Sequence, residues 1–313
     1  MKQSEIETVV KLRHEGLQYK EIARRLKLSV DQVKRRYYAA DHSKTVKAVS
    51  HPDKVLMGNS PKILFWDIET APTRGWVWRN YEDNLIRTDH DWYMLSFACK
   101  WAHSDDIKVF GLDDFPTWKK DKEDDRELVN KLWSYIDEAD ILVAHNGDQF
   151  DIKKANARFI IHNLSPPSTY KSIDTLKIAR ANFKFGSNKL NDLATYLGIG
   201  EKLAHTGAHL WFGCMNGDPE DWKMMKRYNV HDVKLLEEVY YRLRGWHKTH
   251  PNINLYDHTD GCPKCKSMNI QKRGFEIKVA TKRQRFQCQD CGGWFSGGPP
   301  IKKDPLSAFK IAI

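Results

Sequence analysis

The chain has 313 residues, which is enough for one medium-sized core and one or two small modules. Its net charge is +10, with 13 basic against 7 acidic residues in 1–60 and 11 against 5 in 257–313, so both ends are expected to meet a polyanion. No apolar run reaches the roughly 18 residues of a membrane helix, which excludes a membrane-spanning protein at this stage.

Three short helices are predicted in residues 1–40. Ser4 and Glu7 have the spacing of a capping box at the start of the first helix. A second helix is predicted at about 19–26 and a third at about 30–39. The arrangement resembles a helix-turn-helix module of the homeodomain-like or transposase type, whose last helix enters the major groove, although a plain three-helix bundle is the alternative. The predicted DNA contacts on the third helix are Lys34, Arg35 and Arg36.

A composition change marks the central domain. Residues 41–61 contain two prolines and no sustained period, so a linker is predicted there. Residues 62–250 begin with three apolar strands and then alternate strands with helices. This order predicts an α/β domain built on a mixed sheet flanked by helices. Residues 257–300 are predicted to form a small β domain, followed by a tail at 301–313.

Acidic residues are concentrated in three short motifs of the central domain. Asp67 and Glu69 lie two apart at the end of an apolar strand, so their side chains point the same way. Asp151 begins a helix after the apolar strand ILVAHN, and Tyr228 and Asp232 lie four apart on a late helix. Four carboxylates brought together repel one another unless a cation neutralises them. Oxygen ligands favour hard divalent ions, which indicates Mg²⁺ or Mn²⁺.

The ordered set of motifs resembles a known family. Residues 62 to about 246 are similar to the DEDD 3′→5′ exonucleases, which share an RNase H-like fold and include the proofreading domains of DNA polymerases. The motifs are DIET from Asp67, NGDQFD from Asn146 to Asp151, and YNVHD from Tyr228 to Asp232. Because Arg227 stands where the histidine variant has its histidine, the resemblance is to the tyrosine variant.

The resemblance implies a two-metal mechanism. Asp67, Glu69, Asp151 and Asp232 would hold two Mg²⁺ or Mn²⁺ ions, and Tyr228 would orient the attacking water. Nucleoside 5′-monophosphates would leave one at a time from the 3′ end of DNA, with RNA left open. Nucleic-acid contacts are implied for two further residues of the second motif, Asn146 and Phe150. Asp174, in a further stretch that resembles polymerase-type exonucleases, is expected to be structural and not a metal ligand.

The segment 71–92 interrupts the compact pattern after the first strand. It combines aromatic residues with arginines, the composition that stacks on single-stranded nucleic acid. Covering a core edge is an equally good interpretation. The residues predicted to contact nucleic acid are Trp76, Trp78 and Arg79.

Two C-x-x-C pairs predict a zinc ribbon near the end of the chain. Cys262 with Cys265 and Cys288 with Cys291 are separated by 22 residues with strand-like segments, and such pairs close a tetrahedral site. One structural Zn²⁺ is therefore expected. The resemblance is to transposase- and transcription-type ribbons, which suggests nucleic-acid contact, with a protein-binding ribbon as the alternative. The predicted contacts are Lys282, Arg283 and Arg285.

Two other functions share this organisation. A transposase or recombinase-type nuclease also combines a helix-turn-helix, an RNase H-like core and a zinc ribbon, and a non-catalytic DNA-binding protein is a third interpretation. Nucleic acid, DNA more than RNA, is the expected partner. The acidic start of the chain does not resemble a signal peptide, so a cytoplasmic protein is expected, in the host cytoplasm if phage-encoded. The combination is typical of small bacterial or bacteriophage nucleases.

Overall fold

The structure is a computed structural model, and it describes residues 3–14, 17–30, 32–33, 36, 60–80, 84–201, 203–204, 206–279 and 281–302. Within these ranges the chain forms two compact units. One contains the described residues up to 36 together with 62–240, and the other contains 60–61 and 241–302. No helix in the described ranges is both long enough and apolar enough to cross a lipid bilayer.

Strands of the first unit form a mixed sheet and a separate hairpin. They are β1 (Ile63–Thr70), β2 (Arg74–Trp76), β3 (Arg87–His90), β4 (Met94–Trp101), β5 (Ile107–Gly111), β6 (Ile141–Ala144) and β7 (Lys171–Asp174). The five-stranded sheet has the order β5-β4-β1-β6-β7, and β2 pairs with β3 outside it. Central strand β1 runs antiparallel to β4 and parallel to β6. The predicted α/β class, a mixed sheet flanked by helices, is confirmed.

Helices pack against the sheet through apolar residues, except the first two helices of the chain, which form a cluster of their own. The helices of this unit are α1 (Gln3–His14), α2 (Tyr19–Leu26), α3 (Arg126–Glu138), α4 (Asp151–Ile161), α5 (Thr175–Asn182), α6 (Leu190–Tyr196), α7 (Ala208–Asn216) and α8 (Pro219–Leu243). Helix α3 buries Leu128, Leu132 and Ile136 at helical spacing. They share a core with Leu64 and Trp66 of β1. The core thus fixes the central strand.

Helix α8 is held against the sheet by contacts along its length. The ring of Tyr240 meets Phe65 of β1 edge-on, with centroids 5.4 Å apart. Lys100 of β4 forms a buried ion pair with Glu237. Such a pair stabilises little by itself, but losing one partner leaves a buried charge, so it fixes the position of the helix.

Helix α4 is fixed by a buried carboxylate. Asp125 is fully buried and accepts a hydrogen bond from the Met94 amide at 2.8 Å. Its carboxylate also binds Arg158 Nε at 2.8 Å and His162 Nε2 at 2.6 Å, both at the end of α4. One acid therefore joins β4 to the C-terminal end of α4.

The amino-terminal module contains α1 and α2 at the predicted positions, packed around Val9, Ile22 and Val33. Lys34 and Arg35 lie outside the described residues. The expectation that Arg36 stands on an open face is wrong. Its side chain is 12% exposed and its guanidinium binds Glu5 Oε2 at 2.9 Å, because the cation packs back against α1.

The second unit contains a three-stranded antiparallel sheet in the order β10-β9-β8. Its strands are β8 (Ile270–Ile277), β9 (Thr281–Cys288) and β10 (Trp294–Lys302). The apolar cluster is small: buried Cys262, Cys265 and Cys288 pack with Ile270 and Phe295. Too little apolar surface is buried here to support a fold without a further link.

Candidate active site

The carboxylates at the end of β1 meet one from α8. Asp67 and Glu69 project from the same face of β1 and are half-buried, whereas Asp232 is 2% exposed. Each of the three offers a carboxylate oxygen, and these oxygens lie within 4.8 Å of one another. Residues more than 160 positions apart in sequence therefore form one acidic cluster, an oxygen-only donor set that suits a hard divalent cation.

Asp151 lies beside this cluster without belonging to the 4.8 Å group. It is the first residue of α4, is 2% exposed, and accepts a hydrogen bond from the Ile68 amide at 3.2 Å. Ile68 stands between Asp67 and Glu69, so the fourth predicted carboxylate reaches the same strand end. Burial raises the pKa of Asp151 to about 7, with the nearby charge of Asp174 adding to the shift.

Asp151→Asn should stabilise the protein in the absence of divalent cations while removing activity. The ordinary pKa is 3.8 and the folded value is about 7, so the folded state retains a proton in that window that the unfolded chain releases. Stability therefore falls as the pH rises from about 4 to about 7. Asparagine keeps the acceptor for the Ile68 amide and carries no charge.

Thermal melts without added Mg²⁺ or Mn²⁺ check this expectation. At about pH 8 we expect the Tm of the variant to exceed that of the parent by several degrees, with the difference vanishing near pH 4. A lower Tm for Asp151→Asn at about pH 8 would contradict the claim that the buried charge of Asp151 destabilises the folded protein.

Asn229 on α8 holds Asp67 in place, although the sequence motifs assigned it no role. Its Nδ2 donates to Asp67 Oδ2 at 2.7 Å and to the Asp67 carbonyl at 3.3 Å. Its Oδ1 accepts from Ser96 Oγ of β4 at 3.2 Å, and the side chain is fully buried. A buried amide with both ends satisfied fixes the orientation of the carboxylate. The available signal was its position in the YNVHD motif, one helical turn before Asp232.

We expect Asn229→Ala to reduce nuclease turnover, or the affinity for the activating cation, by about 10- to 100-fold. The reason is that Asp67 loses the donor that orients it, while the cluster itself remains. Turnover measured across a Mg²⁺ titration separates the two effects. Asn216→Ala, at the exposed end of α7, is the matched control. Equal activities for the two variants would show that Asn229 only packs.

Asp174 organises the loop that contains Asn146. Its carboxylate accepts from the Asn146 amide at 2.9 Å and caps α5 through the Leu176 amide at 2.9 Å. Asn146 has a left-handed backbone, φ 66°, which asparagine tolerates better than most residues. Asp174 therefore shapes the wall of the site by hydrogen bonds to the backbone, and its own pKa is raised by burial.

His145 links two further segments of the site, at Thr175 and Asn188, through hydrogen bonds. Its Nδ1 lies 2.9 Å from Thr175 Oγ1, and its Nε2 donates to the Asn188 carbonyl at 3.0 Å. A cavity of about 610 Å³ lies between these walls and the acidic cluster. Two cations, Arg180 and Lys189, line it together with the carboxylates of Asp67 and Asp232. Its lining is Asp67, His145, Asn146, Leu176, Arg180, Ser187, Asn188, Lys189, Leu190, Asn191 and Asp232.

A second, more apolar cavity of about 380 Å³ includes Thr70, next to Glu69. Lys154 lines it, donates to Thr70 Oγ1 at 3.1 Å and lies 3.9 Å from the ring centroid of Trp92. Phe150, 39% exposed, lies 5.1 Å from the same ammonium. The cavity is lined by Thr70, Ala71, Pro72, Thr73, Trp92, Lys154, Ala208, Trp211 and Phe212.

Tyr228 is nearly buried, at 7% exposure, one turn before Asp232 on α8. Its ring meets Trp211, which lines the second cavity, edge-on at 6.1 Å between centroids. Tyr228 therefore packs from α8 against the aromatic wall of the second cavity.

The β2–β3 hairpin presents its tryptophans to solvent. Trp76 is 62% and Trp78 81% exposed, so neither covers a core edge, and Arg79 is exposed as well. The neighbouring arginines are engaged: Arg74 Nη2 lies 3.7 Å from Glu123, and Arg87 Nη2 lies 3.3 Å from Asp89. These ion pairs reduce the cationic character expected of the segment.

The four cysteines of the second unit converge. Their sulfur atoms lie within 4.8 Å of one another, with Cys262 Sγ 3.6 Å from Cys291 Sγ and Cys265 Sγ 3.6 Å from Cys288 Sγ. Four thiols at this spacing fit a tetrahedral Zn²⁺, whose ligands are thiolates. The predicted cations Lys282, Arg283 and Arg285 lie on β9 and are exposed.

Comparison with known proteins adds a family and a distant structural likeness. The family model of the RNase H superfamily matches residues 87–244, a stretch that contains Asp151, Tyr228 and Asp232. No curated protein matches the sequence. One similar solved structure is a family B DNA polymerase from the hyperthermophilic archaeon Pyrobaculum calidifontis, with 17% identity and a TM-score of 0.42. The match covers 59% of this chain, which spans only a quarter (25%) of the polymerase.

Proposed function

Because the chain belongs to the RNase H superfamily, we propose that its acidic cluster is the active site of a 3′→5′ exonuclease acting on DNA. The observation that carries the proposal is the convergence of Asp67, Glu69 and Asp232, with oxygens within 4.8 Å and Asp151 bound to the Ile68 amide. The site is of the tyrosine type, with Tyr228 four residues before Asp232.

The residues fit divalent cations because the donor set consists of carboxylates alone. Asp67, Glu69 and Asp232 would hold Mg²⁺ or Mn²⁺, and Asp151 would complete a second position. Ionised together without a cation, these acids repel, and the raised pKa of Asp151 reflects the cost of burying its charge. When bound, two such ions provide an activated water and offset the charge that grows on the phosphate oxygens.

The chain's own groups prepare this reaction. Asn229 fixes the Asp67 carboxylate through its 2.7 Å hydrogen bond, so one ligand direction is set before substrate arrives. Arg180 and Lys189 line the same cavity as the acids and would attract the phosphates of the strand. The hydroxyl of Tyr228 would donate to the attacking water. The water loses a proton as its oxygen bonds to the last phosphorus, and the bond from that phosphorus to the 3′ oxygen of the preceding nucleotide breaks. That oxygen takes up a proton, and the terminal nucleoside 5′-monophosphate leaves.

The flanking modules support a nucleic-acid substrate and favour DNA. The amino-terminal helices resemble a helix-turn-helix, and the second unit brings four cysteines together for one structural Zn²⁺. Thiolates at this site would link strands whose apolar cluster is small. Lys34, Arg35 and the exposed hairpin tryptophans stay proposed contacts with the strand, as do Asn146 and Phe150 at the site.

End-labelled substrates test this proposal. Single- and double-stranded DNA and RNA, labelled at either end, are incubated with Mg²⁺ or Mn²⁺ and without added cation. We expect cation-dependent shortening from the 3′ end, release of 5′-mononucleotides and a preference for DNA. Nicking of closed circular DNA would instead support the recombinase-type reaction. Binding without hydrolysis under every condition would support a non-catalytic protein.

A further inference from the structure

The sheet of the second unit carries a large excess of cations. Its strands contain one acid, Glu276, which accepts from Ser296 Oγ at 2.7 Å and lies 3.9 Å from Lys278. The strand cations are exposed and have no carboxylate partner among the described residues. They are Lys272, Arg273, Lys282, Arg283 and Arg285. An excess of exposed positive charge of this kind favours a polyanionic partner.

Strand alternation sorts these side chains onto two faces. Phe286 and Cys288 of β9 point toward the cysteine cluster, so the residues between them point the other way. The register pairs Gln287 with Trp294 and Arg285 with Ser296, which puts the four on one surface. This surface, called the Trp294 face, is formed by Arg283, Arg285, Gln287, Trp294 and Ser296, with Glu276 at its β8 side, opposite Arg283 and bonded to Ser296.

Trp294 and Arg285 form an exposed cation–aromatic pair on this face. Trp294 is 45% exposed, and the guanidinium carbon of Arg285 lies 4.7 Å from its ring centroid. Arg285 Nε also donates to the Arg273 carbonyl at 3.0 Å, which holds the guanidinium in position. An exposed indole beside fixed cations is the combination that stacks a base and pairs the adjacent phosphate.

We propose that the Trp294 face binds single-stranded nucleic acid, with an unpaired base stacked on Trp294 and the adjoining phosphates paired with Arg283 and Arg285. The inference deepens the proposed nuclease function and rests on it, because it gives the nucleic-acid substrate a contact on the second unit. A duplex keeps its base faces covered by neighbouring pairs. An acidic protein is a poorer fit as the partner, because it would pair with the arginines but would not need the exposed indole of Trp294.

Fluorescence anisotropy with labelled oligonucleotides tests the face in the full chain. The binding measurement uses an Asp67→Asn background without added Mg²⁺ or Mn²⁺, so that the probe is not degraded. We expect Trp294→Ala and Arg285→Gln each to raise Kd for single-stranded DNA about tenfold. Trp294→Phe should retain most of the affinity because it keeps an aromatic ring.

Two controls are matched to these changes. Phe275→Ala removes an exposed aromatic that pairs with Gln284, and Lys272→Gln removes an exposed cation that pairs with Phe286, both on the opposite face. Neither should change Kd by more than about twofold, a difference within ordinary surface effects. Zinc content and melting curves establish that every variant keeps its ribbon.

The outcomes separate this inference from the proposed nuclease. An unchanged Kd in Trp294→Ala overturns the stacking contact, as does an equal loss of affinity for duplex and single strand. Binding of polyglutamate with the same dependence on Trp294 overturns the choice of nucleic acid. Absence of hydrolysis by the parent protein, with Trp294-dependent binding intact, would refute the nuclease and leave the binding face standing.

Discussion

Asp67→Asn should lower the rate of nucleotide release by about 10³-fold or more, and Asp232→Asn should do the same. Each removes one of three carboxylates whose oxygens lie within 4.8 Å, and the cation they hold supplies several kcal/mol of transition-state stabilisation. Asparagine keeps the side-chain shape, so neither change should unfold the domain. Initial rates on 3′ single-stranded DNA in Mg²⁺ provide the measurement.

The control for these variants is Asp106→Asn. Asp106 is an exposed acid whose partner is Lys108 at 2.6 Å, and it belongs to the turn between β4 and β5. It should retain the parent activity, and all three variants should bind single-stranded DNA about as tightly as the parent. Undiminished hydrolysis in both cluster variants would remove the acidic cluster from the mechanism.

Cys288→Ser should release the metal and unfold the second unit. The cysteine is fully buried with its sulfur 3.6 Å from that of Cys265, and the surrounding apolar cluster is too small to hold the three strands without a metal. We expect about one zinc per chain in the parent and a large loss in the variant. Proteolysis should then cut readily within 262–302.

Cys214→Ala supplies the comparison for the zinc measurement. Cys214 is fully buried in the core of the first unit, outside the sulfur cluster. Its variant should keep the zinc and resist proteolysis in the second unit. A Cys288→Ser protein with full zinc and an intact ribbon would refute the tetrathiolate site.

The main sheet was accessible from the sequence because its pattern is strong. The apolar runs around Phe65 and Val143 predict buried strands, and both occur at the centre of the sheet. The acidic cluster could also be predicted from the sequence. The motif DIET lies at the end of a strand and YNVHD on a long helix, and together they predict carboxylates that face one site. Local spacing and period suffice for such features, since each depends on neighbours in sequence.

Contacts between distant segments were not accessible. Asn229 and Ser96 are separated by 133 positions, and no pattern near either residue predicts the hydrogen bond between them. That bond helps to orient the amide that binds Asp67. The ion pair between Arg36 and Glu5 reversed an expectation that had treated the arginine as part of an open basic face. Helix α7 also went unpredicted, because a nine-residue segment with an internal glycine has weak helical propensity and depends on tertiary packing.

Anomalous diffraction from crystals of the protein grown with Mn²⁺ tests the central claim most directly. The account predicts a manganese peak among the carboxylate oxygens of Asp67, Glu69 and Asp232, with Asp151 as a neighbour or ligand, and its loss in Asp67→Asn. Manganese bound elsewhere, with these acids left protonated or paired to lysine and arginine, would contradict it.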